Sequence, residues 1–211
     1  MKGSNMIMPA YSIKTERLLL RCFEFKDAYE VKSAIDKSKE HLVKWMAWAE
    51  QEPEELDKKI ERIRGRRIEF DRDENYHYAI FLQDSEKFIG SISLMKRIGE
   101  GALEIGYWMH VDHINKGYMS EAASALVKIA FELYKVERVE VHCDIENLRS
   151  AAIPKKLGFN HEATVRTNEI NEDGTRKLDM IWMLFKEEYE KLKLKDVKLK
   201  AFDAIGREIV I

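Results

Sequence analysis

The chain has 211 residues, 45% of them hydrophobic and 10% aromatic, which is enough apolar material for one well-packed core. Its 36 lysines and arginines nearly balance 38 aspartates and glutamates, and the net charge of −2 argues against a nucleic-acid-binding protein with a broad basic face. Cys22 and Cys143 form neither a CxxC pair nor a disulfide framework, and no apolar run approaches the roughly 20 residues of a membrane span, so we expect a cytoplasmic protein without direct nucleic-acid or membrane contacts.

The first half of the chain predicts a strand, two helices and an antiparallel meander. An apolar run at 17–23 predicts the first strand, and charged and apolar residues at helical spacing predict a helix at 26–39. Pro53 and the two glutamates after it are typical of a helix start, and this second helix is expected to run toward Asp73. Three β-like runs separated by turn-forming residues follow at 76–83, 87–96 and 102–111.

The second half predicts a β-α-β crossover followed by two hairpins. Apolar residues at helical spacing predict a helix over 117–134, and a strand follows at 139–145. A short helix at 147–157 is expected to end at Gly158. The remaining predicted elements are strands at 163–170 and 178–185 around a turn at 171–174, a charged helix at 186–195, and a hairpin within 197–211.

The junction between the third β-like run and the long helix carries the strongest functional signal. The sequence EIGYWM at 104–109 is followed by NKGYM at 115–119 and then by the amphipathic helix. The first N–H groups of a helix lack intrahelical partners, and the helix dipole adds partial positive charge at the same end. The sequence therefore predicts a seat for a diphosphate group at this loop.

These motifs together resemble the GNAT N-acetyltransferases, close to the branch that acetylates the N-terminal serine or alanine of ribosomal proteins. The resemblance covers residues 15–191 and rests on TERLLLR at 15–21, EIGYW at 104–108, KGYM at 116–119, and Asn147 and Ser150 before KLGF at 156–159. The chain departs from the family where a Gln or Arg followed by Gly is usual, because Ile114 and Asn115 stand there. Asn tolerates positive φ, so the loop can keep its shape, and the lost polar side chain bears on cofactor affinity rather than on fold.

The resemblance implies an α+β fold whose mixed, mostly antiparallel seven-stranded sheet is split around acetyl-CoA and flanked by helices. It divides the chain into an N-terminal segment at 1–14, an acetyltransferase domain at 15–191 and a C-terminal extension at 192–211 with an appended hairpin. The hairpin could pair two copies of the chain in a homodimer, or it could cover an exposed sheet edge.

The resemblance also implies which residues hold acetyl-CoA. The pyrophosphate of coenzyme A is expected on the loop and first helical turn, with Lys116 as a possible charge partner. A bulge in the strand around Met109 to Val111 is expected to offer main-chain N–H groups to the pantetheine arm and the thioester. The implied cofactor-binding residues are Met109, His110, Val111, Asn115, Lys116, Gly117, Tyr118, Met119, Ser120, Asn147 and Ser150.

Three residues are candidates for the chemistry of acetyl transfer. Glu169 matches the position of a glutamate general base, although a solvated glutamate is an equally good interpretation. Glu104 is a second candidate base, or it orients the acceptor amine. Ser150 matches the serine that donates a proton to the departing thiolate. Many GNAT enzymes carry a tyrosine four residues further on, but Pro154 stands there, so Ser150 or a water is expected to serve as the acid. Asn147 is expected to bond the pantetheine arm, to cap a helix, or to do both.

Aromatic and histidine side chains complete the predicted site. Trp45, Trp48 and Tyr107 are candidates for the wall of the acceptor pocket, with at least one tryptophan expected to have a packing role. His110 and His113 have no third ligand at a supporting spacing, so we interpret them as cofactor-loop or surface residues and expect no metal.

Three functions are compatible with these motifs. The leading one is direct acetyl transfer within a ternary complex to the N-terminal α-amine of a protein or peptide, because an α-amine has a reference pKa of about 8 against about 10.4 for lysine and is more easily deprotonated. The alternatives are acetylation of a small amine, such as an antibiotic, a polyamine or a nucleotide-like toxin, and a non-catalytic acyl-CoA-binding regulatory module.

Overall fold

The computed structural model describes residues 9–171 and 173–211, which build a ten-stranded sheet with helices on both faces. Residues 1–8 of the predicted N-terminal segment and Glu172 of the predicted hairpin turn lie outside the described ranges. The strands are β1 (Ser12–Lys14), β2 (Leu18–Cys22), β3 (Asn75–Leu82), β4 (Phe88–Met95), β5 (Ala102–Met109), β6 (Arg138–Asp144), β7 (Asn160–Ile170), β8 (Arg176–Phe185), β9 (Lys200–Phe202) and β10 (Glu208–Ile209). The helices are α1 (Ala28–Leu42), α2 (Leu56–Asp71), α3 (Tyr118–Lys128), α4 (Leu148–Lys156) and α5 (Lys186–Tyr189).

The strand order is β10-β9-β1-β2-β3-β4-β5-β6-β8-β7. All neighbouring strands are antiparallel except β5 and β6, which are parallel and joined through α3, so the predicted crossover is confirmed. The predicted α+β class is confirmed, but the predicted count of seven strands is wrong. Strand β1 is not apparent from the sequence, because it has three residues and one fully buried side chain, Ile13, and therefore lacks an apolar run.

The C-terminal hairpin joins the main sheet. Strand β9 pairs with β1 in the same chain, with Ser12 opposite Phe202, and β10 pairs with the other edge of β9. The hairpin thus covers the β1 edge, and the homodimer remains a prediction. The continuous helix predicted at 186–195 is wrong, because Leu192 is extended (φ −89°, ψ 153°) and separates α5 from a 3-10 turn at Lys193–Asp196. An extended Leu192 reaches Gly158, where an added Cβ would lie 2.8 Å from its Cδ1 atom.

The sheet separates two apolar clusters because successive strand residues face opposite sides. On β3, Tyr78 and Ile80 belong to the cluster covered by α3, whereas Ala79 and Phe81 belong to the cluster covered by α1 and α2. In the part of the chain that is described, no helix has both the length and the apolarity needed to cross a membrane.

The sheet splits between β5 and β6. The two strands pair only through Ala102–Glu104 and Arg138–Glu140, and beyond that point β5 continues along β4 while β6 pairs with β8. No extra residue is inserted in β5 at the expected position, because its pairing with β4 is regular from Glu104 to Met109, the His110 N–H continues it, and a 3-10 turn begins at Val111. The extra residue is Ile89 on the neighbouring strand, whose carbonyl accepts a hydrogen bond of 2.8 Å from the His110 N–H.

This register fixes which edge of β5 faces the split. Peptide groups of successive residues in an antiparallel strand point to opposite edges. Since the His110 N–H points to β4, the peptide groups of Tyr107 and Met109 point away from β4 and into the opening left by β6.

Candidate active site

Two adjoining cavities lie at the split in the sheet. The smaller has a volume of about 270 Å³ and lies against the loop before α3, and the larger has a volume of about 510 Å³ and lies between the β7–β8 hairpin and the segment that follows α1. Trp45, Met46, Tyr107 and Trp108 line both cavities. A molecule that spans the two cavities would therefore pass the end of β5.

The smaller cavity is built on the predicted diphosphate loop. Asn115 (φ 60°) and Gly117 (φ 80°) both have left-handed backbone conformations, as the sequence analysis predicts for Asn115. Gly117 is the N-cap of α3, and no side chain caps the helix. The first N–H groups of α3 therefore remain available to an anion at the cavity wall.

The loop is held in place by the motif at 15–21. The Glu121 carboxylate on α3 accepts hydrogen bonds from Thr15 Oγ1 (2.6 Å), from the Arg17 N–H (2.9 Å) and from Arg17 Nε (2.6 Å). The Arg17 guanidinium also donates to the Lys116 carbonyl (3.1 Å) and lies 4.6 Å from the ring centre of Tyr118. This motif, which looks like part of a strand in the sequence, thus fixes the geometry of the anion seat.

The charge of the smaller cavity suits an anion. Its described lining contains Arg149 and Lys156 and no carboxylate. His41 also lines it, and burial, followed by the nearby charges of Arg149 and Lys44, lowers the pKa of this imidazole. The positive potential and the free helix N–H groups fit the phosphates of a coenzyme A-type cofactor.

The two histidines of the loop are buried. Burial lowers the pKa of both, and the rings lie edge to face with their centres 5.5 Å apart. His110 Nδ1 accepts a hydrogen bond from the Asp112 N–H (3.0 Å), whereas His113 Nδ1 has no partner and its ring lines the smaller cavity. Within the described ranges, no group of three or more His, Cys, Asp or Glu side chains is arranged to hold a metal ion.

The predicted cofactor-binding residues divide into two groups. Those that line the smaller cavity are Met109, Asn115, Gly117, Tyr118, Met119, Ser120 and Asn147, whereas Ser150 lines the larger cavity. His110, Val111 and Lys116 lie outside its lining. The His110 N–H donates to Ile89 and the Val111 N–H donates to Ser38 Oγ (3.0 Å), so these two donors are already satisfied within the protein. The free main-chain groups at the split are those of Tyr107 and Met109.

The larger cavity contains both predicted carboxylate bases. Glu104 is 3% exposed, and both of its carboxylate oxygens accept hydrogen bonds from the Arg97 guanidinium, the Nε–Oε2 distance being 2.7 Å. The same hydrogen bond raises the pKa of Arg97. Glu169 on β7 has a side chain that is 50% exposed and forms an ion pair with Lys177 at 3.0 Å. Each carboxylate is thus compensated by a cation.

Ser150 and Tyr107 meet where the two cavities join. The Tyr107 hydroxyl donates to the Ser150 carbonyl at 3.1 Å and lies 3.1 Å from Ser150 Oγ. Burial raises the pKa of Tyr107, which keeps its hydroxyl protonated. Asn147 Oδ1 accepts a hydrogen bond from the Ser150 N–H (3.1 Å), so the predicted helix cap is confirmed. Tyr107 is therefore more than a wall residue, because it presents a hydroxyl beside Ser150.

Trp45 and Trp48 belong to the segment that covers the cavities. Trp48 lines the larger cavity and packs edge-on against Trp108, with the ring centres 6.3 Å apart, which gives it the expected packing role. The segment is anchored by a buried ion pair between Lys59 on α2 and Glu52, each with a side chain that is 2% exposed.

The larger cavity contains an acidic pair that the sequence motifs do not predict. Asp144 on β6 lies directly opposite Asp179 on β8, and neither forms an ion pair within the described residues. Burial and then the charge of Asp144 raise the pKa of Asp179. A signal was present, because Asp179 is the one carboxylate within an otherwise apolar predicted strand, but its neighbour across the sheet is 35 positions away and only the fold reveals it.

The split sheet, the anion seat and the adjoining polar cavity define an acyltransferase of the type that binds a phosphorylated acyl carrier beside its acceptor. Residues 17–160 match the family model described as "Acetyltransferase (GNAT) domain", and the chain belongs to this family. It is therefore an N-acetyltransferase that depends on acetyl-CoA.

Two relatives and one solved structure illustrate the similarity. The chain is 31% identical to the uncharacterized N-acetyltransferase YnaD of Bacillus subtilis over 71% of this chain and 83% of that protein. It is 26% identical to the ribosomal-protein-serine acetyltransferase of Escherichia coli over 46% of this chain and 54% of that protein. The structure of RimL, a ribosomal L7/L12 alpha-N-protein acetyltransferase in complex with coenzyme A, has a TM-score of 0.74 at 20% identity and covers 86% of this chain and 99% of that one, which shows a common fold.

Proposed function

We propose that this enzyme transfers the acetyl group directly to the N-terminal α-amine of a protein or peptide bound in the larger cavity. The observation that carries the proposal is the acidic pair Asp144–Asp179, which lies without an ion-pair partner in the cavity that adjoins the cofactor seat. Two carboxylates attract an ammonium group. The E. coli relative named as a ribosomal-protein-serine acetyltransferase supports a protein acceptor.

The smaller cavity would hold acetyl-CoA, which supplies an activated acetyl thioester and a thiolate leaving group. The N–H groups at the start of α3 and the side chains of Arg149 and Lys156 suit the phosphates. The free peptide groups of Tyr107 and Met109 suit the amide-containing pantetheine arm. Ile114 replaces a polar family residue, so main-chain donors and these cations carry more of the affinity than in typical relatives.

The hydroxyl pair of Tyr107 and Ser150 is placed to protonate the departing sulfur. The two hydroxyl groups share a hydrogen bond at the junction of the cavities, and the phenol remains protonated because it is buried. Proline at position 154 has no hydroxyl group, whereas many GNAT enzymes carry a tyrosine there. Tyr107 on β5 provides a hydroxyl group in its place. Either Ser150 or the pair acting together can deliver the proton.

Acceptor selectivity tests the proposal. Release of coenzyme A from acetyl-CoA should be measured with Ser- and Ala-starting peptides, with the same peptides blocked at the N-terminus, and with free small amines. We expect turnover of the unblocked peptides, with mass fragmentation placing the acetyl group on the α-amine. Turnover confined to small amines, or equal turnover of blocked peptides that contain lysine, would contradict the proposal.

A further inference from the structure

A second hydrogen-bonded group of side chains extends from the larger cavity. His77 on β3 has Nδ1 at 2.8 Å from Ser93 Oγ on β4, and its Nε2 lies 3.0 Å from Glu69 Oε2 on α2. Asn75 Nδ2 donates to the same carboxylate oxygen at 2.8 Å and helps to orient it. A hydroxyl, an imidazole and a carboxylate therefore follow one another in a continuous hydrogen-bonded row.

This row leads from the acceptor cavity toward solvent. His77 and Ser93 line the larger cavity, and Ser93 is 9% exposed. The Glu69 side chain at the far end is 37% exposed and does not line the cavity. One end of the row can thus meet a bound acceptor while the other meets bulk water.

The carboxylate determines the protonation pattern of the row. A carboxylate beside Nε2 favours the tautomer with the proton on Nε2, which leaves Nδ1 to accept the Ser93 proton. Burial acts to raise the pKa of Glu69, but the hydrogen bonds from Asn75 and His77 outweigh it and lower that pKa. Burial lowers the pKa of His77 against the opposing effect of Glu69, so the ring is neutral near pH 7 and can accept a proton.

We propose that Ser93, His77 and Glu69 form a proton relay that removes the proton from the acceptor ammonium group and delivers it to solvent. This inference rests on the proposed function of the larger cavity. The ammonium nitrogen gives one proton to Ser93 Oγ, directly or through one water, as Ser93 passes its own proton to His77 Nδ1. The imidazolium, stabilised by Glu69, then releases a proton to bulk water. The amine lone pair forms the C–N bond as the thioester C–S bond breaks, and the second nitrogen proton ends on the thiol.

The two carboxylates predicted from the sequence as bases are already compensated. Glu104 accepts two hydrogen bonds from Arg97, and Glu169 is paired with Lys177. The charged groups that face His77 are Glu69 and Arg66, both from α2, and Arg66 acts to lower the pKa of the ring. A neutral imidazole whose Nδ1 accepts the Ser93 hydrogen bond is therefore a better proton acceptor than either of these two carboxylates.

The pH dependence of turnover tests the relay. We would compare wild type with His77→Gln, Ser93→Ala and Glu69→Gln, using a peptide that the wild-type enzyme acetylates. The matched control is His161→Gln, because this exposed histidine on β7 lines neither cavity and should leave kcat unchanged. Binding of acetyl-CoA and the thermal melting of each variant establish that the fold is intact.

We expect kcat of His77→Gln to fall about 100-fold near pH 7, as is typical for loss of a general base. The loss of kcat relative to wild type should shrink to less than about 10-fold near pH 9.5. An α-amine has a reference pKa of about 8, so at that pH it is largely neutral without a general base. The loss of kcat in Ser93→Ala should likewise become smaller as the pH rises. Glu69→Gln should shift the acidic limb of the pH profile of kcat to lower pH. The His77 imidazolium loses its carboxylate partner in this variant, which lowers the pKa of the ring.

Two results would overturn the relay in different ways. If the wild-type enzyme acetylates the peptide and both His77→Gln and Ser93→Ala have profiles parallel to wild type, the relay is wrong and the proposed function stands. If the wild-type enzyme binds acetyl-CoA but acetylates no peptide at any pH, the proposed function fails and the relay fails with it.

Discussion

At the residue scale, Asp179 lowers the stability of the folded protein and is proposed to bind the acceptor ammonium group. Its pKa is raised by burial and by Asp144, so its ionised form is less favourable in the folded state than in the unfolded chain. The cost to stability is fully present above the folded pKa and disappears as pH falls through it. A group that destabilises the fold at neutral pH while lining a functional cavity is expected to serve binding.

Asp179→Asn should therefore stabilise the protein and impair the enzyme. At neutral pH we expect a rise in Tm of about 2–4 °C, since about 1 kcal/mol gives a shift of that size in a domain of this length. The gain should shrink as pH falls through the raised pKa of Asp179, because the carboxyl group then becomes protonated in wild type as well. KM for an unblocked peptide should rise about 10-fold, as expected on loss of a hydrogen bond to a charged group. Thermal melts at neutral and at acidic pH test the change in Tm, and steady-state kinetics test the change in KM. An unchanged KM would contradict the proposal that Asp179 binds the acceptor ammonium group.

The hydroxyl groups of Tyr107 and Ser150 are proposed to donate the proton to the departing sulfur, and substitutions test this role. Tyr107→Phe and Ser150→Ala should each lower kcat by about 10- to 100-fold while leaving Kd for acetyl-CoA within about 2-fold, because proton donation contributes to the transition state rather than to cofactor binding. If the two hydroxyls act as one donor, the double variant should be hardly worse than either single variant. Multiplicative losses would show that they act separately.

Prediction from the sequence at the residue scale succeeded where a property is local. Positive φ at Asn115 follows from its side-chain type and loop position, and the Asn147 cap follows from its spacing to Ser150. The pairing of Asp144 with Asp179 and the contact of His77 with Ser93 depend on strand register instead. Register is set by the assembled sheet, so no single segment encodes these contacts.

At the element scale, the segment between α1 and α2 owes its position to an ion pair inside the protein. Lys59 is buried between Glu52 and Glu54, and Arg62 also binds Glu54 from the surface. The hydrogen bonds from Arg62 and Lys59 outweigh burial and lower the pKa of Glu54 to about 2. This network holds the segment that carries Trp45 and Trp48 over the cavities.

Lys59→Met tests that network against a neighbour of the same type. Removal of one partner of a buried ion pair typically costs about 3–5 kcal/mol, because it leaves the other charge buried and unpaired. Lys58→Met is the matched control, since the Lys58–Glu61 pair is exposed to solvent and its loss should hardly change the free energy of unfolding. Urea unfolding measures both free energies, and equal effects for the two lysines would contradict a role for the buried network.

At the scale of the whole molecule, the sequence identified the middle of the sheet better than its edges. The meander and the crossover have long apolar runs that fix strand type and order, and these strands build both cavities. Strand β1 and the C-terminal hairpin have short, polar strands whose pairing is visible only in the assembled sheet. The predicted boundary at residue 191 thus separates two segments that share one continuous sheet.

A chain shortened to end at residue 197 lacks β9 and β10. Removing β9 and β10 uncovers the N–H and C=O groups along one edge of β1 and exposes the side chains packed against Ala201, so we expect a lower Tm and concentration-dependent association. Kd for acetyl-CoA should stay within about 3-fold, since contacts far from a site are usually independent of it and the smaller cavity lies beyond β2, β3 and β4 from the cut edge. Sedimentation of both chains also tests the homodimer. A wild-type dimer that becomes monomeric on truncation would show that the hairpin joins two copies, whereas a wild-type monomer that associates on truncation would show that the hairpin protects an edge.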